Sequence, residues 1–318
     1  MLKDTIIFSL TSNIELTKEI CNHLGMEPGK ITVHHFADGE ILVEPDESVR
    51  GKNIYLVQST CAPVSEKYME ILIALDAFKR ASANSVTVLM PYYGYARQDR
   101  KARARQPITA KLMADLLQKA GADRVVTIDL HASQIQGFFD IPIDDLTAVA
   151  MIGQYYRNKN FQDEVVVVSP DHGGATRARR LSDTIPNSTI AIIDKRRTKP
   201  NVAEAMNLIG DVNGKIAIVV DDIVDTAGSL MGGIDMLLAK GAKEVYCACT
   251  HGVLSGPAIE RITNSPIKEL VVTNTIPLEK EKSCEKVKQI SVGYMLAKAI
   301  EAVQNHTPIS ILFELFAD

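Results

Sequence analysis

Strand-sized runs rich in β-branched residues alternate along this chain with helix-length amphipathic segments, and no other feature narrows its fold as much. The order is NIYLVQS, YMEILIALDAFKRA, SVTVLMP, ITAKLMADLLQKAGA and RVVTIDLH, and it returns as EVVVVSPD, TIAIIDKRR, KIAIVVDD, a helix near 229–240 and EVYCACTHG. Strands separated by helices pair in parallel, because each helix serves as the crossover between neighbouring strands. The expected class is α/β, with one such unit following another.

The units share more than an order of elements. GKNIYLVQSTCAP, starting at Gly51, resembles GKIAIVVDDIVDT, starting at Gly214, and each is followed by a helix and a further strand. A repeat of this kind points to a duplicated domain. Where the second copy has Asp221, Asp222 and Ile223, the first has Gln58, Ser59 and Thr60, so an acidic ligand site is expected in the second copy only. A boundary is expected within 140–151, where the strand pattern pauses, with no long linker between the halves.

A chain of 318 residues, 46% apolar, is long enough for two domains with their own cores. Its formal charge of -4 provides no global attraction for nucleic acid or an anionic membrane. Cys21, Cys61, Cys247, Cys249 and Cys284 make neither a Cys-x-x-Cys pair nor a zinc spacing, which fits reduced thiols. The N-terminal MLKDTIIFSLTS has no long apolar region, and a soluble cytoplasmic protein is expected.

The stretch IAIVVDDIVDTAGSL carries the chemistry. Ile216 to Val220 fit a strand buried on both faces, which places Asp221 and Asp222 at its carboxyl end, where ligands of open parallel sheets bind. The small residues of DTAGS let backbone approach a ligand, and N–H groups at the helix start form an anion cradle. Carboxylates beside a phosphate repel it unless they face a divalent cation or sugar hydroxyls. A sugar phosphate meets both demands, and helix capping alone needs fewer acids. Neither a P-loop nor a Gly-x-Gly-x-x-Gly is present. Basic residues from Arg97 to Arg105 beside Tyr92, Tyr93 and Tyr95 have the interleaving of an RNA-binding stretch, but the acidic total charge argues against that use.

VVDDIVDTAGS closely resembles the 5-phosphoribosyl 1-diphosphate (PRPP) motif shared by phosphoribosyltransferases and PRPP synthases. FADGEI, PYYGYARQDRKARARQPITAK, DLHASQIQGFF, VSPDHGGATRARR and DKRR extend the resemblance over nearly the whole chain, to the class I ribose-phosphate diphosphokinases. Ser229 stands where that family more often has threonine. Phosphoribosyltransferases usually carry a single PRPP domain. The family's non-catalytic associated proteins interrupt the stretch that runs unbroken here as DKRRTKPNVAEAMN.

The resemblance implies two similar tandem phosphoribosyltransferase-like domains, each a mostly parallel sheet flanked by helices, spanning 1–147 with 290–318 and 148–289. It implies diphosphate transfer from Mg-ATP to ribose 5-phosphate, giving PRPP and AMP for nucleotide, histidine, tryptophan and NAD biosynthesis. Asp221 and Asp222 then contact ribose hydroxyls, and Asp225, Thr226, Ala227, Gly228 and Ser229 wrap the 5-phosphate. Lys195 and Arg197 stabilise transition-state charge. Phe36, Asp38, Gly39 and Glu40 form an adenine-binding turn donated by a neighbouring subunit, while Arg97 and Gln98 contact the nucleotide from a loop closing over ATP. His131 and Asp171, helped by Asp129, are linked to magnesium. Inorganic phosphate and ADP act as effectors at a second anion site resembled by Ser48, Arg50, Ser82, Ser310 and Phe313. The expected assembly is a homohexamer of dimers, with no nucleic-acid or membrane partner.

Overall fold

The computed structural model describes residues 2–196 and 205–313, with side chains described throughout except at 195, 196, 205, 206, 311 and 313. The chain divides into two compact units, one of Met1–Leu146, Thr275–Pro277 and Ser291–Leu312, the other of Thr147–Asn274, Leu278–Ile290 and Phe313–Asp318.

The first unit runs β1 (Thr5–Ser9), α1 (Ile14–Leu24), the hairpin β2 (Ile31–His35) and β3 (Ile41–Pro45), β4 (Asn53–Val57), α2 (Val64–Arg80), β5 (Ser85–Met90), α3 (Thr109–Ala120), β6 (Arg124–Ile128) and β7 (Ile143–Leu146). Its sheet has the order β1-β4-β5-β6-β7 with every pairing parallel. Helices cover such a sheet, so its strands are apolar throughout rather than alternating: Ile54, Leu56 and Val57 of β4 are fully buried. The Phe8 and Phe78 rings stack at 5.1 Å, joining β1 to α2.

The second unit runs α4 (Val149–Arg157), β8 (Val165–Ser169), α5 (Ala175–Thr184), β9 (Thr189–Arg196), β10 (Ala205–Ile209), β11 (Ile216–Val224), α6 (Gly228–Ala239), β12 (Glu244–Gly252), α7 (Ala258–Asn264), β13 (Leu270–Thr273) and β14 (Val287–Ile290). Its strand order is β10-β9-β8-β11-β12-β13-β14, parallel except for β10 against β9. The chain then returns to the first unit as α8 (Gly293–Gln304).

Without β9 and β10, the second sheet reads β8-β11-β12-β13-β14 and has the topology of the first, strand for strand. β4 and β11 hold equivalent positions, which matches the pairing of Gly51 with Gly214 in the repeat.

Three features differ from expectation. β11 does not stop at Val220 but continues to Val224, so Asp221 and Asp222 lie within the strand. The reason is one-sided pairing: β8 accompanies β11 only as far as Val219, whereas β12 follows it to Val224 opposite Gly252. The acids therefore stand in a strand that projects past one neighbour. The antiparallel β10 was not foreseen, and α6 begins at Gly228, one residue before the expected start. No described helix is long and apolar enough to cross a membrane.

Candidate active site

In the second unit the acidic residues gather at the carboxyl ends of the neighbouring strands β9, β8 and β11. Asp222 is buried, at 4% exposure, and Asp221 is half-buried. The Asp222 backbone N–H donates to Asp221 Oδ1 at 2.9 Å. Burial, and then the neighbouring Asp222 carboxylate, push the Asp221 carboxyl up to about 8, while the Arg177 guanidinium acts in the opposite direction. Arg177 Nη1 lies 3.3 Å from Asp221 Oδ1 and 3.3 Å from Asp222 Oδ1.

The turn after β11 has the form of an anion cradle. Ala227 adopts the left-handed conformation at φ 58°, which reverses the chain into α6. The Met231 N–H donates to the Ala227 carbonyl, so the amides of Gly228, Ser229 and Leu230 precede the helical ladder. Thr226, Gly228 and Ser229 are exposed. Arg261, on α7, donates from Nη1 to the Thr226 carbonyl at 2.8 Å and so brings a cation beside the turn.

Asp171 follows β8 and is exposed; its Oδ1 accepts the Gly174 N–H at 3.0 Å, which orients the carboxylate. His172 Nε2 pairs with Asp194 Oδ1 at 3.0 Å, and Asp194 directly precedes Lys195 near the end of β9. Lys195 stands opposite Met206 of β10. Arg197 lies outside the described residues.

In the first unit, Phe36 to Glu40 form the tip of the β2–β3 hairpin. The Phe36 N–H donates to Glu40 O at 2.8 Å, the Gly39 N–H to Phe36 O at 2.9 Å and the Glu40 N–H to Asp38 Oδ1 at 3.1 Å. Gly39 has φ 94°, and Phe36 is 46% exposed, its ring meeting that of His34 edge-on at 4.8 Å. Arg97 and Gln98 are exposed as well. The stem leading to them is clamped at Gly94, whose N–H donates to Thr60 Oγ1 at 2.7 Å and whose carbonyl accepts the Tyr68 hydroxyl at 2.8 Å. Tyr95, at φ 64°, then turns the chain, and the Gln98 N–H closes onto its carbonyl at 2.9 Å.

His131 is exposed, and Asp129 is half-buried with φ 45°; both follow β6. Arg50 Nη1 donates to Ser82 Oγ at 3.1 Å, and Ser48 is exposed on the chain just before Arg50. Ser310 is exposed in the 3-10 turn Ile309–Phe313.

Gln58 and Ser59, the counterparts of Asp221 and Asp222, make internal bonds. Gln58 Nε2 donates to the buried Glu70 Oε2 at 2.6 Å, Lys67 Nζ to Glu70 Oε1 at 2.9 Å, and Ser59 Oγ to Thr275 O at 2.6 Å. His35, Glu66 and Glu70 also bring ligand-type atoms together. Lys67 Nζ is already within 3.3 Å of Glu66 and 2.9 Å of Glu70, so the cluster holds its own cation.

Arg177, His172 and Arg261 were not singled out from the sequence. Arg177 had a usable signal, since it shares the inward helical face with Leu181, four residues on, whereas Arg179 and Arg180 are exposed. Arg261 is far from the motif in sequence and had none.

Residues 5–121 match the model of the N-terminal domain of ribose phosphate pyrophosphokinase, and 162–314 that of the phosphoribosyl synthetase-associated domain. The chain is 59% identical over 308 residues to a ribose-phosphate pyrophosphokinase of Oceanobacillus iheyensis, covering 97% of this chain and 96% of that protein. It is 58% identical to the protein of that name from Bacillus subtilis, with 98% of each chain covered. The crystal structure of phosphoribosylpyrophosphate synthetase from Mycobacterium smegmatis superposes with a TM-score of 0.91 at 41% identity, over 96% of this chain and 100% of that one.

Proposed function

The chain belongs to the ribose-phosphate pyrophosphokinase family, and from that we propose that it transfers the β,γ-diphosphate of ATP to the 1-hydroxyl of ribose 5-phosphate, giving PRPP and AMP. The observation that carries the reading is the diacid end of β11 running directly into the left-handed turn of α6. Carboxylates accept from ring hydroxyls while the adjoining turn receives the 5-phosphate, so one short stretch reads both ends of the sugar phosphate. In the first unit the equivalent residues are engaged internally, Gln58 with Glu70 and Ser59 with the Thr275 carbonyl, which supports assigning the sugar to the second unit alone.

Within this proposal, Asp221 and Asp222 accept from the ribose hydroxyls. Amides and hydroxyls from Asp225 to Ser229 hold the 5-phosphate at the positive end of α6. Phe36, Asp38 and Glu40 bind adenine: the ring stacks on the base and a carboxylate accepts from its amino group. The turn is donated by a second copy of the chain, and self-association into a hexamer of dimers completes the site. Arg97 and Gln98 contact the nucleotide. Attack by the 1-hydroxyl on the β-phosphorus moves charge onto phosphate oxygens as AMP leaves, and Lys195 and Arg197 offset that charge.

Asp171 fits a magnesium role, because the ion favours oxygen donors and keeps several waters, and this exposed carboxylate is oriented through only one of its oxygens. We assign magnesium to Asp171, and to His131 with Asp129; when bound, the ion neutralises phosphate charge and orients the ATP phosphates. The Arg50–Ser82 contact supports an effector site for inorganic phosphate and ADP with Ser48, Ser310 and Phe313. Activity that ignores both effectors would remove that assignment.

The direct test is incubation with Mg-ATP, ribose 5-phosphate and inorganic phosphate, with AMP, ADP and PRPP quantified by mass spectrometry. Equimolar AMP and PRPP are expected. ADP in place of AMP would mean an ordinary kinase, and no product would leave only a non-catalytic associated role.

A further inference from the structure

Helix α5 presents three arginines in quick succession, and they behave differently. Arg179 and Arg180 are exposed, whereas the Arg177 side chain is 17% exposed and turns toward the end of β11. There its Nη1 lies 3.3 Å from one oxygen of Asp221 and 3.3 Å from one oxygen of Asp222.

Two acidic side chains on successive residues repel each other once both are ionised, and burying one of them makes the second ionisation costlier. A cation that bridges them relieves this and fixes the direction of each carboxylate. Arginine suits the task better than lysine, because its guanidinium stays protonated and spreads its charge over a rigid planar fork. The Asp222 N–H on Asp221 Oδ1 adds a second restraint on the same oxygen.

We propose that Arg177 is the positioning residue of the sugar site, orienting Asp221 and Asp222 as one acceptor pair and thereby setting the preference for a ribose ring that carries both hydroxyls. This rests on the assignment of that pair to ribose 5-phosphate. Arg177 acts through the carboxylates and takes no part in the bond changes.

The test compares the wild-type protein with Arg177→Gln and Arg177→Lys, measuring KM for ribose 5-phosphate, for 2-deoxyribose 5-phosphate and for ATP, with thermal melting as a check on the fold. Arg177→Gln should raise KM for ribose 5-phosphate by about tenfold or more while KM for ATP stays within about twofold. Its preference for ribose over 2-deoxyribose should shrink by a similar factor, because the pair no longer reads the ring hydroxyls together. Arg177→Lys should fall between, and carries the comparison if Arg177→Gln melts below the assay temperature. In an Asp221→Asn background the effect of Arg177→Gln should be smaller than in the wild type, which a purely structural role would not produce.

Unchanged KM and unchanged sugar preference in a normally active protein would overturn the inference alone. Equal rises for both sugars and ATP would also overturn it, since they indicate a general loss of structure. A wild-type chain that neither binds nor consumes ribose 5-phosphate overturns the sugar-site assignment and this inference together.

Discussion

Asp221 holds its proton far longer than an aspartate usually does, because burial and Asp222 raise it from 3.8 to about 8. Between those values the folded chain keeps a proton that the unfolded chain has released. The associated stability is fully present below the unfolded value and is lost as pH rises through the folded one. The ligand-free protein should therefore melt at a lower temperature as pH is raised from about 5 to about 8.5, and Asp221→Asn should flatten part of that slope. Differential scanning calorimetry across the range checks both; an identical slope in Asp221→Asn would show that other groups are responsible. Lys195 makes a prediction of another kind. In other enzymes, loss of a charge-stabilising donor costs on the order of 3 kcal/mol of barrier, so Lys195→Ala should lose at least about a hundredfold in kcat with its melting temperature preserved. Near-normal turnover would refute the role.

At the scale of elements, the clamp at Gly94 links the carboxyl end of β4 and the start of α2 to the segment that carries Arg97 and Gln98. A Cβ at Gly94 would stand 2.5 Å from the Thr60 carbonyl oxygen and 2.9 Å from Val64 Cγ1, and backbone cannot give way as a side chain can. Gly94→Ala should cost roughly 1–3 kcal/mol of stability and raise KM for ATP well above any change in KM for ribose 5-phosphate. Steady-state kinetics against each substrate would decide it, and a rise confined to the sugar would place the clamp elsewhere. The same scale shows what was legible in the sequence. The apolar run Ile216–Val220 was enough to find β11, and the repeat at Gly51 and Gly214 was enough to match it to β4. The end of β11 was not legible, because β12 rather than composition carries the strand through Asp221 and Asp222 to Val224. Nor was β10, whose antiparallel pairing with β9 no local sequence pattern announced. At the site, contiguous stretches such as DTAGS announced themselves. Arg177 left only the trace of its spacing from Leu181, and Arg261 became visible only when α7 brought it to the turn after β11.

For the whole molecule, chain order and unit order do not coincide. The first unit needs α8, which is made after the second unit's sheet is complete. Within the first unit α8 packs on α1, burying Met295, Leu296 and Ile300, and Gln304 Oε1 accepts the Tyr55 hydroxyl at 3.2 Å. At roughly 1.5–3 kcal/mol for each large apolar side chain, those three alone amount to roughly 5–9 kcal/mol. That is comparable with the whole stability of an ordinary domain, about 5–15 kcal/mol. The core cluster of the second unit, from Val166 to Val287, is drawn entirely from residues that precede α8 in the chain. A chain ended at Ile290 should therefore keep slow amide exchange in β8, β11 and β12 while β1, β4 and β5 lose theirs, as read by hydrogen-exchange mass spectrometry. Retained protection in β1 and β4 would mean that α1 and its sheet are stable without the returning helix, and that the late segment serves some purpose other than completing the first core.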